Sequence, residues 1–329
     1  MISIGLLGCG RIGQVHARSI ARMPDARLTA VADALPAAAQ ALAETSGAVV
    51  REASEIIAAA DTDAVIVATP TSLHYAQIHA LAQAGKAIFC EKPIDLSSDR
   101  AAECMAAVKA AGVPFMTGFN RRFDPHFAQL QAQVAEGVIG EVELVLITSR
   151  DPAPPPLSYV EQSGGLFRDM TIHDFDMARF VLGEEPVELF AWGSCLVDPE
   201  IGVAGDIDTA AVTLKTASGK LCQINNSRRA TYGYDQRIEV HGANGMLQAA
   251  NQLEHLVTQA SAEGFVTSPN QHFFLERYEA AYLAEMTAFV TALTKGVGPT
   301  PGIEDGVAAQ RLADAAAASL AESAPRRLG

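Results

Sequence analysis

Three side chains in this sequence have types and spacings suited to acid–base chemistry. Asp169 and His173 are four residues apart, so they would share one face if their segment is helical. A carboxylate beside an imidazole can select its tautomer and make it a better proton acceptor. Lys92 stands in the turn Glu91-Lys92-Pro93, directly after an apolar run, and the proline stiffens the turn that presents it.

Each of these features also has a plainer interpretation. Asp169 and His173 could form an ordinary ion pair on a helix, or half of a metal site. A third ligand at a suitable spacing is not evident in the sequence, so we expect no metal. Lys92 could be a solvated surface residue, which is the usual state of lysine.

A glycine motif near the N-terminus predicts a dinucleotide site. Gly8-Cys9-Gly10-Arg11-Ile12-Gly13 follows a predicted strand and opens a predicted helix. The first glycine permits a tight turn, the second lets a pyrophosphate approach the backbone, and the third allows close packing of helix and strand. The helix N-terminus offers N–H groups to the phosphates.

An acidic residue selects between the two nicotinamide dinucleotides. Asp33 ends the second predicted strand, at the position where a carboxylate can bind both hydroxyls of the adenosine ribose and repel a 2′-phosphate. The next residue is Ala34 rather than arginine. The sequence therefore predicts NAD rather than NADP as the cofactor.

The elements that must position these residues alternate between strand and helix over residues 1–120. The run Ala64–Ala68 is fully apolar, as in a strand buried on both faces, and a helical pattern follows it at His74–Ala84. Such alternation predicts a doubly wound parallel sheet, a Rossmann domain, in which ligands bind at the carboxyl ends of the strands. Lys92 would then face the crevice between cofactor and substrate.

Residues 121–329 have a different pattern. Alternating strand candidates at Glu141–Ser149, Val187–Leu196, Asp208–Thr216 and Lys220–Arg229 predict an α+β domain with a large, mostly antiparallel open sheet. A loop rich in proline, Pro152–Pro156, interrupts the series. The fold class is thus α/β with two domains, residues 1–120 and residues 121–329, of which the first is expected to bind NAD.

Composition excludes several classes of protein. The formal net charge of −14 argues against a nucleic-acid partner. The five cysteines are scattered and contain no C-x-x-C pair, which favours a reducing compartment over a disulfide framework. Met1–Leu7 reads as a strand rather than a signal peptide, and no apolar run reaches the roughly 18 residues of a membrane span. We therefore expect a cytoplasmic protein without a membrane partner.

The ordered set of motifs resembles the Gfo/Idh/MocA oxidoreductase family over essentially the whole chain. The markers are the Gly8–Gly13 loop, Asp33, Ala68-Thr69-Pro70 with His74, Glu91-Lys92-Pro93, the stretch Gly118–Asp124, and Asp169 with His173. Within the family, Ser163–Asp176 and Tyr232-Gly233-Tyr234-Asp235 look most like inositol 2-dehydrogenases.

The resemblance implies a role for each matching residue. The implied catalytic triad is Lys92, Asp169 and His173, all three also touching the substrate. Further implied substrate contacts are Arg122, Asp151 and Tyr234. The implied cofactor contacts are Gly8, Gly10, Arg11, Ile12, Gly13, Asp33, Thr69, Pro70, His74, Glu91 and Lys92. The resemblance also implies that residues 121–329 bind the substrate and form a homotetramer through the open faces of the C-terminal sheets.

The expected reaction is oxidation of myo-inositol to 2-keto-myo-inositol (scyllo-inosose) with hydride transfer to NAD. His173 would accept the hydroxyl proton, Asp169 would hold its tautomer, and Lys92 would stabilise alkoxide character. Two alternatives stay open. One is a related scyllo-inositol or aldose dehydrogenase. The other is a non-catalytic NAD-binding regulator, which loss of the lysine or histidine would favour, but both are present.

Overall fold

The structure of the chain, a computed structural model, describes residues 1–328 and contains two compact units. The first unit comprises residues 1–123 and 280–311, and the second comprises residues 124–279 and those from Leu312 onward. Segment 280–311, which the sequence analysis grouped with the C-terminal domain, thus lies in the first unit.

The first unit is built on a six-stranded parallel sheet with the order β3-β2-β1-β4-β5-β6. Its strands are β1 (Ile2–Leu7), β2 (Ala26–Ala32), β3 (Val49–Val50), β4 (Ala64–Val67), β5 (Ala87–Glu91) and β6 (Phe115–Gly118). The chain order reverses between β1 and β4. Ligands of such sheets bind at this reversal, outside the carboxyl ends of the strands.

Helices cover both faces of this sheet. The α-helices within residues 1–328 are α1 (Arg11–Ala21), α2 (Pro36–Ser46), α3 (Ala53–Ala58), α4 (His74–Gln83), α5 (Ser98–Ala111), α6 (Pro125–Ala135), α7 (Leu157–Ser163), α8 (Ile172–Leu182), α9 (Pro199–Val203), α10 (Phe274–Arg277), α11 (Glu279–Lys295) and α12 (Ile303–Glu322). One core contains Phe89 of β5 and Phe289 of α11, and the opposite core contains Ile88 and Ile303. Every residue of β4 is buried, because it packs against helices on both sides. No helix within residues 1–328 is both long and apolar enough to cross a membrane.

The second unit is built on a seven-stranded sheet with the order β12-β11-β7-β10-β9-β8-β15. Its strands are β7 (Val142–Arg150), β8 (Pro186–Ser194), β9 (Thr209–Thr216), β10 (Leu221–Ser227), β11 (Asp235–Gly242), β12 (Gly245–Ala249) and β15 (Arg326–Arg327), and β13 (Thr258–Ser261) with β14 (Gly264–Thr267) forms a separate hairpin. All neighbours in the large sheet are antiparallel except β7 and β10. Burial alternates along β9 and β10, as expected for a sheet that is covered on one face. The predicted fold class is confirmed.

Several elements are not predicted by the sequence pattern, for identifiable reasons. Strand β3 is only two exposed residues, and the β13–β14 hairpin is exposed along almost its whole length, so neither has a buried face to produce alternation. Helix α11 buries residues in adjacent positions, including Ala281-Tyr282 and Phe289-Val290, which obscures a single apolar stripe. Such patterns become interpretable only when the packing partners are known.

Candidate active site

The glycine loop between β1 and α1 has the geometry of an anion site. Gly8 has φ +95°, and a Cβ there would lie 2.4 Å from the Ala68 carbonyl oxygen, while a Cβ on Gly13 would lie 2.0 Å from the Gly8 carbonyl oxygen. Nothing lies within 4 Å of a Cβ built on Gly10, so that side of the loop is open. Helix α1 begins at Arg11 without a side-chain cap or an acidic residue in its first turn. Its first N–H groups are therefore suited to a pyrophosphate.

Asp33 lies beside this loop at the end of β2. Its Oδ2 accepts a hydrogen bond from the Cys9 N–H at 2.7 Å, and its Oδ1 accepts one from the Leu35 N–H at 2.8 Å. Each carboxylate oxygen keeps a second lone pair for a hydroxyl donor. The two backbone contacts orient the carboxylate for the paired hydroxyls of a ribose, so the residues present fit NAD.

Asp33 provides a direct test of cofactor selection. We expect Asp33→Ser combined with Ala34→Arg to lower kcat/KM with NAD by about 100-fold, because two hydrogen bonds to a charged acceptor are lost. The same variant should gain activity with NADP, since the repelling charge is replaced by a phosphate-binding one. Steady-state kinetics with both cofactors measures the ratio of kcat/KM with NAD to kcat/KM with NADP. Ala34→Arg alone keeps Asp33 and should still prefer NAD; a preference for NADP in that control would contradict the role of Asp33.

His74 connects two loops at the same edge of the sheet. It is buried at the start of α4, with Nε2 2.9 Å from the Thr69 carbonyl oxygen and Nδ1 2.9 Å from the Pro93 carbonyl oxygen. Burial lowers the pKa of His74, so the neutral ring donates to one carbonyl at a time. Both contacts are with the protein backbone, and the contact of His74 with the cofactor stays a prediction. The imidazole joins the loop of Thr69 and Pro70 to the turn that presents Lys92.

Glu91 has a histidine partner on α1. Its Oε1 lies 2.7 Å from Nε2 of His16, whose side chain is fully buried and packs edge-on against Phe89 with ring centroids 4.9 Å apart. Gly118 makes room for this carboxylate, because a Cβ there would lie 3.0 Å from Glu91 Oε2. Glu91 is thus held by a protein partner, and its contact with the cofactor stays a prediction. The pair thus connects α1, which follows the glycine loop, to the end of β5, which precedes Lys92.

The His16–Glu91 pair should contribute to stability. We expect His16→Leu to lower the free energy of unfolding by about 1–3 kcal/mol, because Glu91 then loses its partner where it is largely shielded from water. Urea unfolding followed by circular dichroism measures the change. His126→Leu, at an exposed histidine, is the matched control. An equal free energy of unfolding for the two variants would show that the His16–Glu91 pair contributes nothing to stability.

The first unit also contains Lys92 and Arg122. Lys92 is half-buried and comes directly after β5, next to Glu91. Arg122 donates from Nη2 to Oδ1 of Asp305 at 2.9 Å and is mostly buried. The guanidinium predicted to contact substrate therefore has an ion-pair partner within its own unit.

Asp169 and His173 belong to the second unit, whereas Lys92 belongs to the first. Asp169 lies in a π-helical turn, Phe167–Thr171, and His173 lies in the first turn of α8, which follows it. Single π turns within helices are frequent at functional sites. The helix start is anchored to β10, since Asn226 Nδ2 donates to Asp174 Oδ2 at 2.7 Å.

Two residues that sequence analysis did not single out contact Asp169. Tyr159 of α7 donates to Oδ1 at 2.8 Å, and Arg228, directly after β10, donates to Oδ2 at 3.3 Å. Arg228 had a signal in the sequence: Cys222, Ile224 and Asn226 alternate on the buried face of β10, and position 228 continues that series. Tyr159 had none, because it follows the proline-rich loop.

The remaining predicted substrate contacts lie in the second unit. Asp151 is half-buried, and its N–H donates to the Ser227 carbonyl oxygen at 2.9 Å. Tyr234 is only 6% exposed and packs edge-on against Tyr278, with ring centroids 6.0 Å apart. Among residues 1–328, no group of three or more histidine, cysteine, aspartate or glutamate residues is arranged to hold a metal ion.

Comparison with known proteins decides the family. A model described as an oxidoreductase family with an NAD-binding Rossmann fold matches residues 2–119, and one described as the GFO/IDH/MocA C-terminal domain matches residues 127–248. The chain belongs to the GFO/IDH/MocA oxidoreductases. The predicted family is confirmed.

Relatives of this GFO/IDH/MocA oxidoreductase align over its full length. An inositol 2-dehydrogenase of Rhizobium meliloti (strain 1021) is 54% identical over 321 residues, covering 98% of this chain and 97% of that protein. A myo-inositol 2-dehydrogenase of Thermotoga maritima is 46% identical and covers 97% and 96%. The crystal structure of scyllo-inositol dehydrogenase from Lactobacillus casei with bound NAD(H) and scyllo-inositol has a TM-score of 0.93 at 31% identity, covering 99% of each chain.

These findings establish the enzyme class. The chain is an NAD-dependent dehydrogenase that acts on a CH–OH group. Its cofactor is NAD, as Asp33 and Ala34 predicted. The predicted roles of individual residues at the site stay predictions.

Proposed function

We propose that this GFO/IDH/MocA oxidoreductase oxidises myo-inositol to 2-keto-myo-inositol, with Lys92, Asp169 and His173 as its catalytic residues. The observation that carries the proposal is the match between this chain and inositol 2-dehydrogenases over its full length, at up to 54% identity among the relatives named above. The lysine, aspartate and histidine that the chemistry needs are all present.

Each catalytic residue has one task in this mechanism. The His173 imidazole accepts the proton of the reacting hydroxyl, and Asp169 holds His173 in the tautomer that can accept it. The Lys92 ammonium donates a hydrogen bond to the same substrate oxygen and stabilises its developing negative charge. NAD, when bound, supplies the nicotinamide that accepts the carbinol hydride. Arg122, Asp151 and Tyr234 are the proposed further contacts to the polyol.

A substrate panel tests the proposal. The purified enzyme is incubated with NAD and, in separate reactions, myo-inositol, scyllo-inositol, other inositol isomers and common aldoses, and NADH formation is followed by absorbance. We expect the highest kcat/KM with myo-inositol, and product identification should give the 2-ketone. A clear preference for an aldose would refute the proposal.

Scyllo-inositol is the second candidate substrate. It is favoured by the similarity to the Lactobacillus casei enzyme, whose structure holds scyllo-inositol with NAD(H). The two isomers differ only in the orientation of one hydroxyl, so a few side chains decide between them. A non-catalytic regulator would bind NAD and turn over no polyol in the panel.

We also infer that the enzyme assembles as a homotetramer through the open faces of its C-terminal sheets. The outward face of the sheet carries large apolar side chains, among them Trp192 of β8, which is 58% exposed. Exposed apolar surface of this kind marks an interaction site. Light scattering after size-exclusion chromatography should give four times the chain mass, and a monomer would contradict the inference.

A further inference from the structure

Arg228 is a fully buried arginine near two carboxylates of the second unit. Its side chain is 1% exposed, and both of its terminal nitrogens lie 3.3 Å from Oδ2 of Asp169. Its Nη2 is also 3.8 Å from Oδ2 of Asp206. A buried charge is strongly destabilising unless partners of opposite sign surround it, so this guanidinium and these carboxylates depend on each other.

Asp206 also holds the backbone from which Asp169 projects. Its Oδ1 accepts a hydrogen bond from the Leu166 N–H at 3.0 Å, at the residue that precedes the π-helical turn. Gly165 has φ +88° and leaves room for this contact, because a Cβ there would lie 2.9 Å from Asp206 Oδ1. One carboxylate thus anchors the start of the turn and shares Arg228 with the carboxylate of Asp169.

Tyr159 binds the other oxygen of Asp169. Its hydroxyl donates to Oδ1 at 2.8 Å. Loss of water around the hydroxyl, together with the negative charge of Asp169, raises the pKa of Tyr159 above its ordinary value, so the phenol keeps its proton at neutral pH. Asp169 therefore has a separate donor on each oxygen: Tyr159 on Oδ1 and Arg228 on Oδ2.

We propose that Arg228 and Tyr159 are positioning residues for catalysis, which hold Asp169 as an oriented carboxylate while Asp206 holds Arg228. This inference rests on the proposed function, in which Asp169 orients His173. Donors on both oxygens restrict rotation of the carboxylate, and a guanidinium favours its ionised form. An aspartate that must select one tautomer of a neighbouring imidazole requires both properties.

Tyr159→Phe is the first test. Tyr159 as a whole residue is 49% exposed, so losing the hydroxyl should leave the fold intact. We expect kcat with myo-inositol to fall about 10-fold, the usual result of removing one hydrogen bond to a charged acceptor. The dissociation constant of NAD, measured by fluorescence titration, should not change. The matched control is Tyr75→Phe, which removes a tyrosine hydrogen bond to Glu103 on the surface and should keep wild-type kcat.

Arg228→Ala tests the guanidinium through chemical rescue. We expect kcat to fall about 100-fold, since two charged hydrogen bonds to Asp169 are lost. Added guanidinium should restore part of the lost kcat, whereas urea, which has a similar shape and no charge, should not. Arg311→Ala, at an exposed arginine of α12, is the control. If Arg228→Ala does not fold, the kcat of Tyr159→Phe alone decides whether the positioning inference holds.

Asp169→Asn separates this inference from the proposed function. If Asp169→Asn keeps wild-type kcat, the proposed catalytic role of Asp169 is wrong. If Asp169→Asn is slow but Tyr159→Phe matches the wild type, only the positioning inference is overturned. If both are right, adding Tyr159→Phe to Asp169→Asn should lower kcat by much less than 10-fold, because the hydroxyl then has no carboxylate left to orient.

Discussion

Replacement of Lys92 by methionine is expected to lower kcat/KM with myo-inositol by about 10²- to 10⁴-fold, the usual contribution of a group that assists proton transfer. Methionine keeps an unbranched stem of similar length and removes the ammonium. The substrate oxygen would then gain negative charge without a cation beside it, which is costly where the site excludes water. Initial rates at saturating NAD measure the effect.

Two further variants make the Lys92 result specific. Lys92→Arg retains the positive charge but presents it in a planar fork, so we expect an activity between those of the wild type and Lys92→Met. Lys295→Met, at the exposed end of α11, should match the wild type. Turnover by Lys92→Met close to that of Lys295→Met would exclude Lys92 from catalysis, provided that NAD still binds to both.

The second large effect is expected at His173. Without its imidazole the enzyme has no base for the reacting hydroxyl, so His173→Gln should lower kcat by about 10²- to 10⁴-fold. Chemistry should also become fully rate-limiting. We therefore expect the kinetic isotope effect on kcat, measured with myo-inositol deuterated at the carbinol carbon, to be larger in His173→Gln than in the wild type.

His126→Gln is the matched control, since His126 is exposed at the start of α6. It should retain both the rate and the isotope effect of the wild type. A His173→Gln enzyme that kept wild-type kcat would require a different base. A slow variant with an unchanged isotope effect would mean that His173 acts at a step other than the chemical one.

The cofactor site is predictable from the sequence because the residues that form it lie close together in the chain. The backbone of the loop requires a glycine at position 8, where φ is +95°, and at position 13, where a Cβ would meet a carbonyl oxygen. Asp33 follows within the same short segment, at the end of β2, and accepts a hydrogen bond from the loop. The apolar run in β4 likewise predicts, from its composition alone, a strand that is buried on both faces. The Rossmann fold and the cofactor can therefore be predicted correctly from the sequence.

The partners of the proposed catalytic residues were not predictable in the same way. Arg228 is 59 positions from Asp169 in the sequence, and His16 is 75 positions from Glu91. Alternation along β10 indicates that Arg228 points into the protein, but not which carboxylate it meets. That depends on how β10 packs against the π-helical turn.

The sequence by itself determined the fold class, the oxidoreductase family, NAD as the cofactor, and the side chains that could carry out the chemistry. Only the tertiary structure decided that Tyr159 and Arg228 bind separate oxygens of Asp169, that His74 joins two loops, and that segment 280–311 packs with the Rossmann sheet. The reason is physical: residue types and local spacing fix backbone conformation and burial, whereas long-range polar pairs form only where packing brings distant segments together.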